Sequence, residues 1–309
     1  MTALNPAAHS IPEEEELIPK KKAGKAVEGG VAVRQKSVWA TVIAAIIAIM
    51  WTIPTFGLLV TSFRPQIDVL RSGWWTVWQD PQFTLENYQE ALFGGTTNLS
   101  TYFVNSFIIT IPAVIIPISI ACLAAYGFAW VNFKLAGALF VAVFALQIVP
   151  IQVTLIPLLK LFVSAGLAGT FWPIWIAHSI FALPLAIYLL HNFMSELPKE
   201  LFEAARVDGA GHLTIFFRIL LPLMLPAIAA FAIFQFLWVW NDLLVGLTFG
   251  ASPEVAPLTV RIAELSGTRG SAWHLLSAGA FISMVVPLIV FISMQRYFVR
   301  GLLAGSVKG

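Results

Sequence analysis

The chain has 309 residues, 59% of them hydrophobic and 11% charged, where an ordinary soluble domain is about 45–50% apolar. So few charges cannot solvate a free globule of this size, which excludes a soluble domain and calls for long buried segments. The net charge of +2 says little as a total, because Lys and Arg gather at segment ends and form no basic stripe for nucleic acid, and a single cysteine, Cys122, excludes an intramolecular disulfide.

Residues 1–37 are polar and lack hydrophobic periodicity, with Glu13 to Glu16 followed by Lys20, Lys21, Lys22 and Lys25. They predict a disordered tail. No small-residue cleavage site follows the first apolar run, so no removable signal peptide is expected. About 20 apolar residues in a helix cross the hydrocarbon of a bilayer. Six stretches reach that length, 38–62, 102–130, 138–160, 171–190, 219–247 and 274–297.

Placing residue 1 inside puts 63–101, 161–170 and 248–273 outside. The inside segments then hold thirteen Lys and Arg residues, among them Lys134, Lys199, Arg206, Arg218, Arg296 and Arg300. The outside segments hold four, Arg64, Arg71, Arg261 and Arg269. The positive-inside rule therefore sets both termini in the cytoplasm. Prolines recur through the spans, including Pro54, Pro112, Pro117, Pro150, Pro184, Pro222, Pro226 and Pro287, and each removes a backbone donor and bends its helix. The loop 63–101 carries Trp74, Trp75, Trp78 and Phe83. These aromatics read either as anchors in the headgroup layer or as a contact surface for a soluble binding protein.

One polar island stands between the fourth and fifth spans, Glu203-Ala204-Ala205-Arg206-Val207-Asp208-Gly209-Ala210-Gly211. Pro198 suits a helix start, and Gly209 with Gly211 breaks the chain before a second helix near His212. Small residues keep the surface shallow enough for another backbone to approach. The segment reads as helix, turn, helix outside the membrane, a docking knob.

Ionisable groups inside spans are costly and so mark candidate sites. Asp242, after Trp240-Asn241, is the one acid well inside a span, and it reads equally as a pathway residue or as a helix cap or partner of an arginine such as Arg261. Gln147 and Gln152 flank Pro150, His178 lies in the fourth span, and Gln235 and Trp238 lie in the fifth. Amides, a carboxylate and aromatic faces are what a sugar needs, although any single amide also serves as an interhelical hydrogen bond. Enzymatic readings fail, since no phosphate-cradling Gly-x-x-x-x-Gly-Lys-[Ser/Thr] run or nucleophile elbow occurs. The five histidines lack metal-site spacing.

Glu203-Ala204-Ala205, Asp208-Gly209-Ala210, Phe216, Ile219, Leu221-Pro222-Leu223 and Pro226 together resemble the EAA loop of ABC importer permeases. The likeness is closest to the shorter permease subunit of maltose- and α-glucoside-type carbohydrate importers. It spans residues 38–309, with Gly301 to Gly309 as a second local match, and Trp240-Asn241-Asp242 also looks like the carbohydrate-permease pattern.

The resemblance implies an all-α polytopic fold of the ABC type I importer permease kind. It implies a six-helix permease domain over 38–300 with a coupling loop at 191–218, and a C-terminal tail, 301–309, that contacts the ATPase. Glu203, Ala204, Ala205, Asp208, Gly209, Ala210 and Gly211 would couple to a separate ATPase, with Glu203 meeting one of its basic residues. Gly301, Gly305 and Lys308 would make a second contact. Gln147, Gln152, His178, Gln235, Trp238, Asn241 and Asp242 are the candidate substrate path. The implied partners are a second permease subunit, a dimer of ATP-binding subunits, an extracytoplasmic sugar-binding protein and membrane lipid.

The expected location is the bacterial inner membrane. The chain is expected to be no enzyme and to hold no cofactor, ATP and Mg staying on the ATPase. The expected cargo is an α-glucoside, such as maltose or trehalose, or another di- or oligosaccharide. The alternative, a stand-alone ion-driven secondary transporter, requires paired intramembrane acids or an inverted repeat.

Overall fold

The computed structural model describes residues 38–95, 98–131, 133–267 and 271–304, with side chains as far as residue 295. The expected tail 1–37, and Gly305 and Lys308, lie outside the described residues. Every regular element among the described residues is helical. In chain order come α1 (Val38–Phe63), α2 (Gln66–Arg71), α3 (Glu86–Phe93), α4 (Leu99–Trp130), α5 (Ala136–Ala145), α6 (Ile151–Ser164) and α7 (Trp172–Ser195). Then follow α8 (Lys199–Val207), α9 (His212–Thr214), α10 (Leu221–Asn241), α11 (Leu244–Phe249), α12 (Leu258–Ser266) and α13 (Trp273–Ala304). Residues 38–51 form one unit and residues 52 onward the other; the remaining description concerns the second.

Five described helices are long and apolar enough to cross a membrane: α1, α4, α7, the run His212–Asn241, and Trp273–Gln295 of α13. The third expected span differs. Instead of one rod over 138–160, the stretch is a pair, Ala136–Ile148 and Ile151–Ser164, bent by 100°. Pro150 is the cause: it disfavours helical geometry at the preceding residue, and Val149 sits extended at φ −71°, ψ 119°. The fifth span begins earlier than expected, at His212, and ends at Asn241, because Asp242 turns to extended backbone (φ −69°, ψ 133°). The last helix continues through Gly301 to Ala304, so the start of the expected tail is a prolongation of the sixth span.

Residues Ile215–Leu220, between α9 and α10, wind as a π-helix. The widening ends where Pro222 follows, a residue whose ring would press on the carbonyl four positions back, that of Arg218, in a regular α-helix.

The helix α4 runs along α7 and α10, and α10 packs in turn on α13. Apolar side chains gather at three levels. At the C-terminal end of α4, Ala125, Leu190, Met194, Phe202 and Leu220 pack together. In the middle, Ile109 and Ala113 meet Ile174, Ala177 and Val239. At the N-terminal end of α4, Leu99 joins Ala91, Leu258 and Ala278.

Near that N-terminal end, buried polar side chains hold loop backbone. Asn105 donates to the carbonyls of Glu254 and Ala256, both at 3.1 Å, and the Ser106 hydroxyl accepts from Leu258 N–H at 2.9 Å. Asn87 donates to the Ser62 and Arg64 carbonyls at 2.9 and 2.8 Å. A buried carbonyl without a partner costs roughly 1–3 kcal/mol, so these amides satisfy backbone that no regular element could.

Candidate functional site

The polar island folds as a short helix, a turn and a return. Helix α8 starts directly after Pro198 and ends at Val207, with Asp208 as its cap. Gly209 has a φ of +84°, a left-handed conformation that residues with a Cβ pay to adopt. The Ala210 N–H bonds back to the Ala205 carbonyl at 2.9 Å, and the Gly209 N–H to that of Arg206 at 3.0 Å. This is the Schellman closure of a helix end. Ala205 and Ala210 both pack against the core beneath, supplying the apolar contact that accompanies such a closure.

What seats the knob is Phe202, 2% exposed. Its ring lies against the indole of Trp130, the last residue of α4, with centroids 4.1 Å apart and planes inclined by 35°. A second tie joins the returning helix α9 to α4, as the Tyr126 hydroxyl meets His212 Nδ1 at 2.7 Å. Tyr126 also packs edge-on to Phe216 in the π-helical stretch. Phe202, Trp130 and Tyr126 were not among the residues expected to act here. The signal for Phe202 was available, the one aromatic ring in the knob helix, but nothing local named its partner.

Glu203, Ala204, Asp208, Gly209 and Gly211 are all exposed, and Ala205 and Ala210 are half-buried. Beside them Val207 is 87% exposed and Leu213 75%. Large aliphatics carried so openly, next to the charged side chains of Glu203, Arg206 and Asp208, present a small apolar patch with a mixed-charge rim.

Five of the seven expected path residues fall into two groups. Gln147, Gln235 and Trp238 line one groove of about 460 Å³ with Phe181, Phe231 and Phe234. Gln235 is buried and donates from Nε2 to the Ala113 carbonyl at 3.1 Å, so its amide is fixed between α10 and α4. Gln147 reaches the groove from the bend before Val149. No charged residue lines this groove among the described residues.

His178 and Asp242 form the second group. His178 is 1% exposed, with Nδ1 on the Ile174 carbonyl at 2.9 Å. Its Nε2 faces Asp242 Oδ2 at 3.8 Å, and its ring meets Trp238 edge-on at 5.5 Å. Asp242 Oδ2 accepts from the Val245 and Gly246 N–H groups at 2.8 and 3.1 Å, so the carboxylate caps the start of α11. Of the two roles expected for Asp242, this bonding is the helix cap. Arg261 instead binds Glu264 and lies over the Tyr102 ring, 5.6 Å from its centroid. Asn241 donates to Leu237 of its own helix at 2.7 Å, and Gln152 stands exposed on α6, away from the groove lining.

Residues 117–303, which include the knob, the π-helical stretch and the groove, match the model of the binding-protein-dependent transport system inner membrane component. The chain belongs to this family. The permease is 54% identical over 267 residues to the osmoprotective compounds uptake permease protein GgtD of Synechocystis sp., covering 85% of this chain and 89% of that one. It is 52% identical over 235 residues to the alpha-glucoside transport system permease protein AglG of Rhizobium meliloti, covering 74% of this chain and 61% of AglG. With the melibiose/raffinose/stachyose import permease protein MelC of Bacillus subtilis it shares 35% identity over 270 residues, covering 87% and 96% of the two chains.

Among solved structures, a chain of a bacterial ABC transporter involved in import of the acidic polysaccharide alginate superposes with a TM-score of 0.69 at 19% identity. That match covers 84% of this permease and 95% of the other chain. At that identity the likeness speaks for the fold: the permease is a multi-pass, all-helical membrane protein of the ABC importer type.

Proposed function

We propose that this permease is one of two transmembrane subunits of an ATP-driven carbohydrate importer and lines half of the sugar path. The observation that carries this reading is the knob at 196–218, closed by Gly209 and anchored on α4 through Phe202, with Val207, Leu213 and Glu203 facing outward. Such a patch suits a cleft in a separate ATPase dimer, on which ATP and Mg are bound, with Glu203 meeting a basic residue there. Gly301, Gly305 and Lys308 would make the second contact. The knob and both termini then face the cytoplasm, and an extracytoplasmic sugar-binding protein delivers cargo to the opposite side.

The groove supports a neutral, hydroxyl-rich cargo. It offers the amides of Gln147 and Gln235 and the rings of Phe181 and Trp238, with no charge on its walls. Amides exchange hydrogen bonds with hydroxyls, and aromatic faces cover the apolar side of a pyranose. Relatives named for α-glucosides, for melibiose, raffinose and stachyose, and for osmoprotective compounds fit that chemistry. An α-glucoside or another small di- or oligosaccharide is the cargo this reading assigns.

Proteoliposomes test it. Uptake of labelled α-glucoside should need the second permease, the ATPase, the binding protein and ATP together. Uptake by this chain alone down an ion gradient would instead establish the secondary-carrier reading.

A further inference from the structure

At the end of the bundle opposite the knob, a groove of about 580 Å³ runs from Pro54 and Leu58 on α1 up to Arg64, walled by Trp74, Trp75 and Trp273. The ten helical steps from Pro54 to Arg64 make it about 15 Å long at the helical rise. Its chemistry changes along that length. The lower part, with Pro54 and Leu58, is apolar, and the upper part carries a guanidinium with the hydroxyls of Thr61 and Ser72. Trp74 lies so close over α1 that a Cβ on Gly57 would come within 2.6 Å of its Nε1. Its ring also meets those of Phe56 and Trp75 edge-on, at 5.9 and 6.2 Å. The indole wall is therefore fixed.

Arg64 is the unusual member. It is 3% exposed, yet all its partners are neutral: Nη1 donates to the Gly73 carbonyl at 2.8 Å, and Nη2 to Ser72 Oγ at 2.9 Å and Thr76 Oγ1 at 3.1 Å. Its Nε finds no acceptor, and among the described residues no carboxylate pairs with it. A guanidinium withdrawn from water without a counter-charge is expensive. The groove that reaches it has the polarity gradient of a membrane interface, and tryptophan settles at headgroup depth.

We propose that this groove holds an anionic phospholipid, with the headgroup phosphate on Arg64 and the start of an acyl chain along Leu58 and Pro54. A phosphate supplies the negative charge that the guanidinium lacks, and the apolar floor continues where a glycerol ester passes into hydrocarbon. A saccharide would use the indoles but leave the Arg64 charge uncompensated, and a free anion would leave the apolar floor empty.

The test reconstitutes the full-length permease, in the complex with which it purifies, into vesicles of equal phosphatidylglycerol and phosphatidylcholine. The complex is then extracted again, and retained lipid is counted by native mass spectrometry. Wild type should keep phosphatidylglycerol over phosphatidylcholine by about tenfold, because both carry the phosphate but the choline ammonium of the second offsets its charge, and Arg64→Gln should abolish the preference. Leu58→Trp, which fills the groove and keeps the guanidinium, should release the lipid; it decides the matter if Arg64→Gln fails to assemble. Three results overturn the proposal: equal retention in wild type and both variants, release of the lipid by excess inorganic phosphate, or its displacement by a soluble oligosaccharide.

Discussion

Trp130 ends the second span and Phe202 points into the core from the knob helix, and the two rings rest on each other at 4.1 Å. A displacement of α8 therefore reaches α4 through this aromatic contact, beside the Tyr126–His212 tie. Phe202→Ala should cost about 3–5 kcal/mol of local stability, as buried phenylalanine truncations do. The protein should still insert, but sugar-stimulated ATPase activity of the reconstituted complex should collapse. A double-mutant cycle with Trp130→Ala should show strong non-additivity, because both variants break the same contact.

Gly209 isolates backbone handedness from packing. A Cβ there would meet nothing within 4 Å, so Gly209→Ala carries only the left-handed cost of about 1–2 kcal/mol. Its cooperative unfolding should shift down modestly, and Gly209→Asn should lose less. Gly209→Pro cannot adopt a φ of +84° and should uncouple ATP hydrolysis from uptake while leaving insertion intact. Equal behaviour of Ala, Asn and Pro variants would contradict the closure.

Glu203 tests the docking face without disturbing the fold, since its side chain is exposed. Glu203→Lys should preserve expression, insertion and thermal stability. The assembled particle should nevertheless lose its ATPase on size-exclusion chromatography, or keep it without sugar stimulation. Unchanged coupling would remove Glu203 from the interface.

Gln147 and Asp242 should separate cargo recognition from scaffolding. Gln147→Ala lies on an exposed bend and should weaken uptake by about tenfold, one hydrogen bond's worth, with little change in stability. Asp242→Ala removes the acceptor of the Val245 and Gly246 N–H groups and should lower stability by about 1 kcal/mol. Asp242→Asn should restore most of it. A specificity change in Asp242→Asn at normal stability would make Asp242 a pathway residue.

Much of this was legible from residue order alone, where the cause is local. Apolar length marks the spans, and Pro198 and Gly209 mark the ends of the knob helix because a fixed φ and a left-handed φ are properties of single residues. The bend at Val149 was half legible: Pro150 announces a disturbance, but a kink and a 100° break differ only in what neighbouring helices allow. The groove was legible as a list of amides and rings, not as a place. Gln147 and Gln235 are separated by most of two spans, and only the packing of α7 and α10 brings them to one wall. Asp242 was legible as an acid inside a span, but not that its Oδ2 would accept from the Val245 and Gly246 N–H groups.

The amides of Asn87 and Asn105 rivet one rim of the bundle to its loops, and hydrogen bonds tolerate little change in distance or angle. At the other rim the knob rests chiefly on rings, whose dispersion attraction falls off gently as they slide. A rod clamped at one end and cushioned at the other swings about the clamp. Any rocking of these helices accordingly has its fulcrum beside Asn105 and its widest travel beneath Phe202.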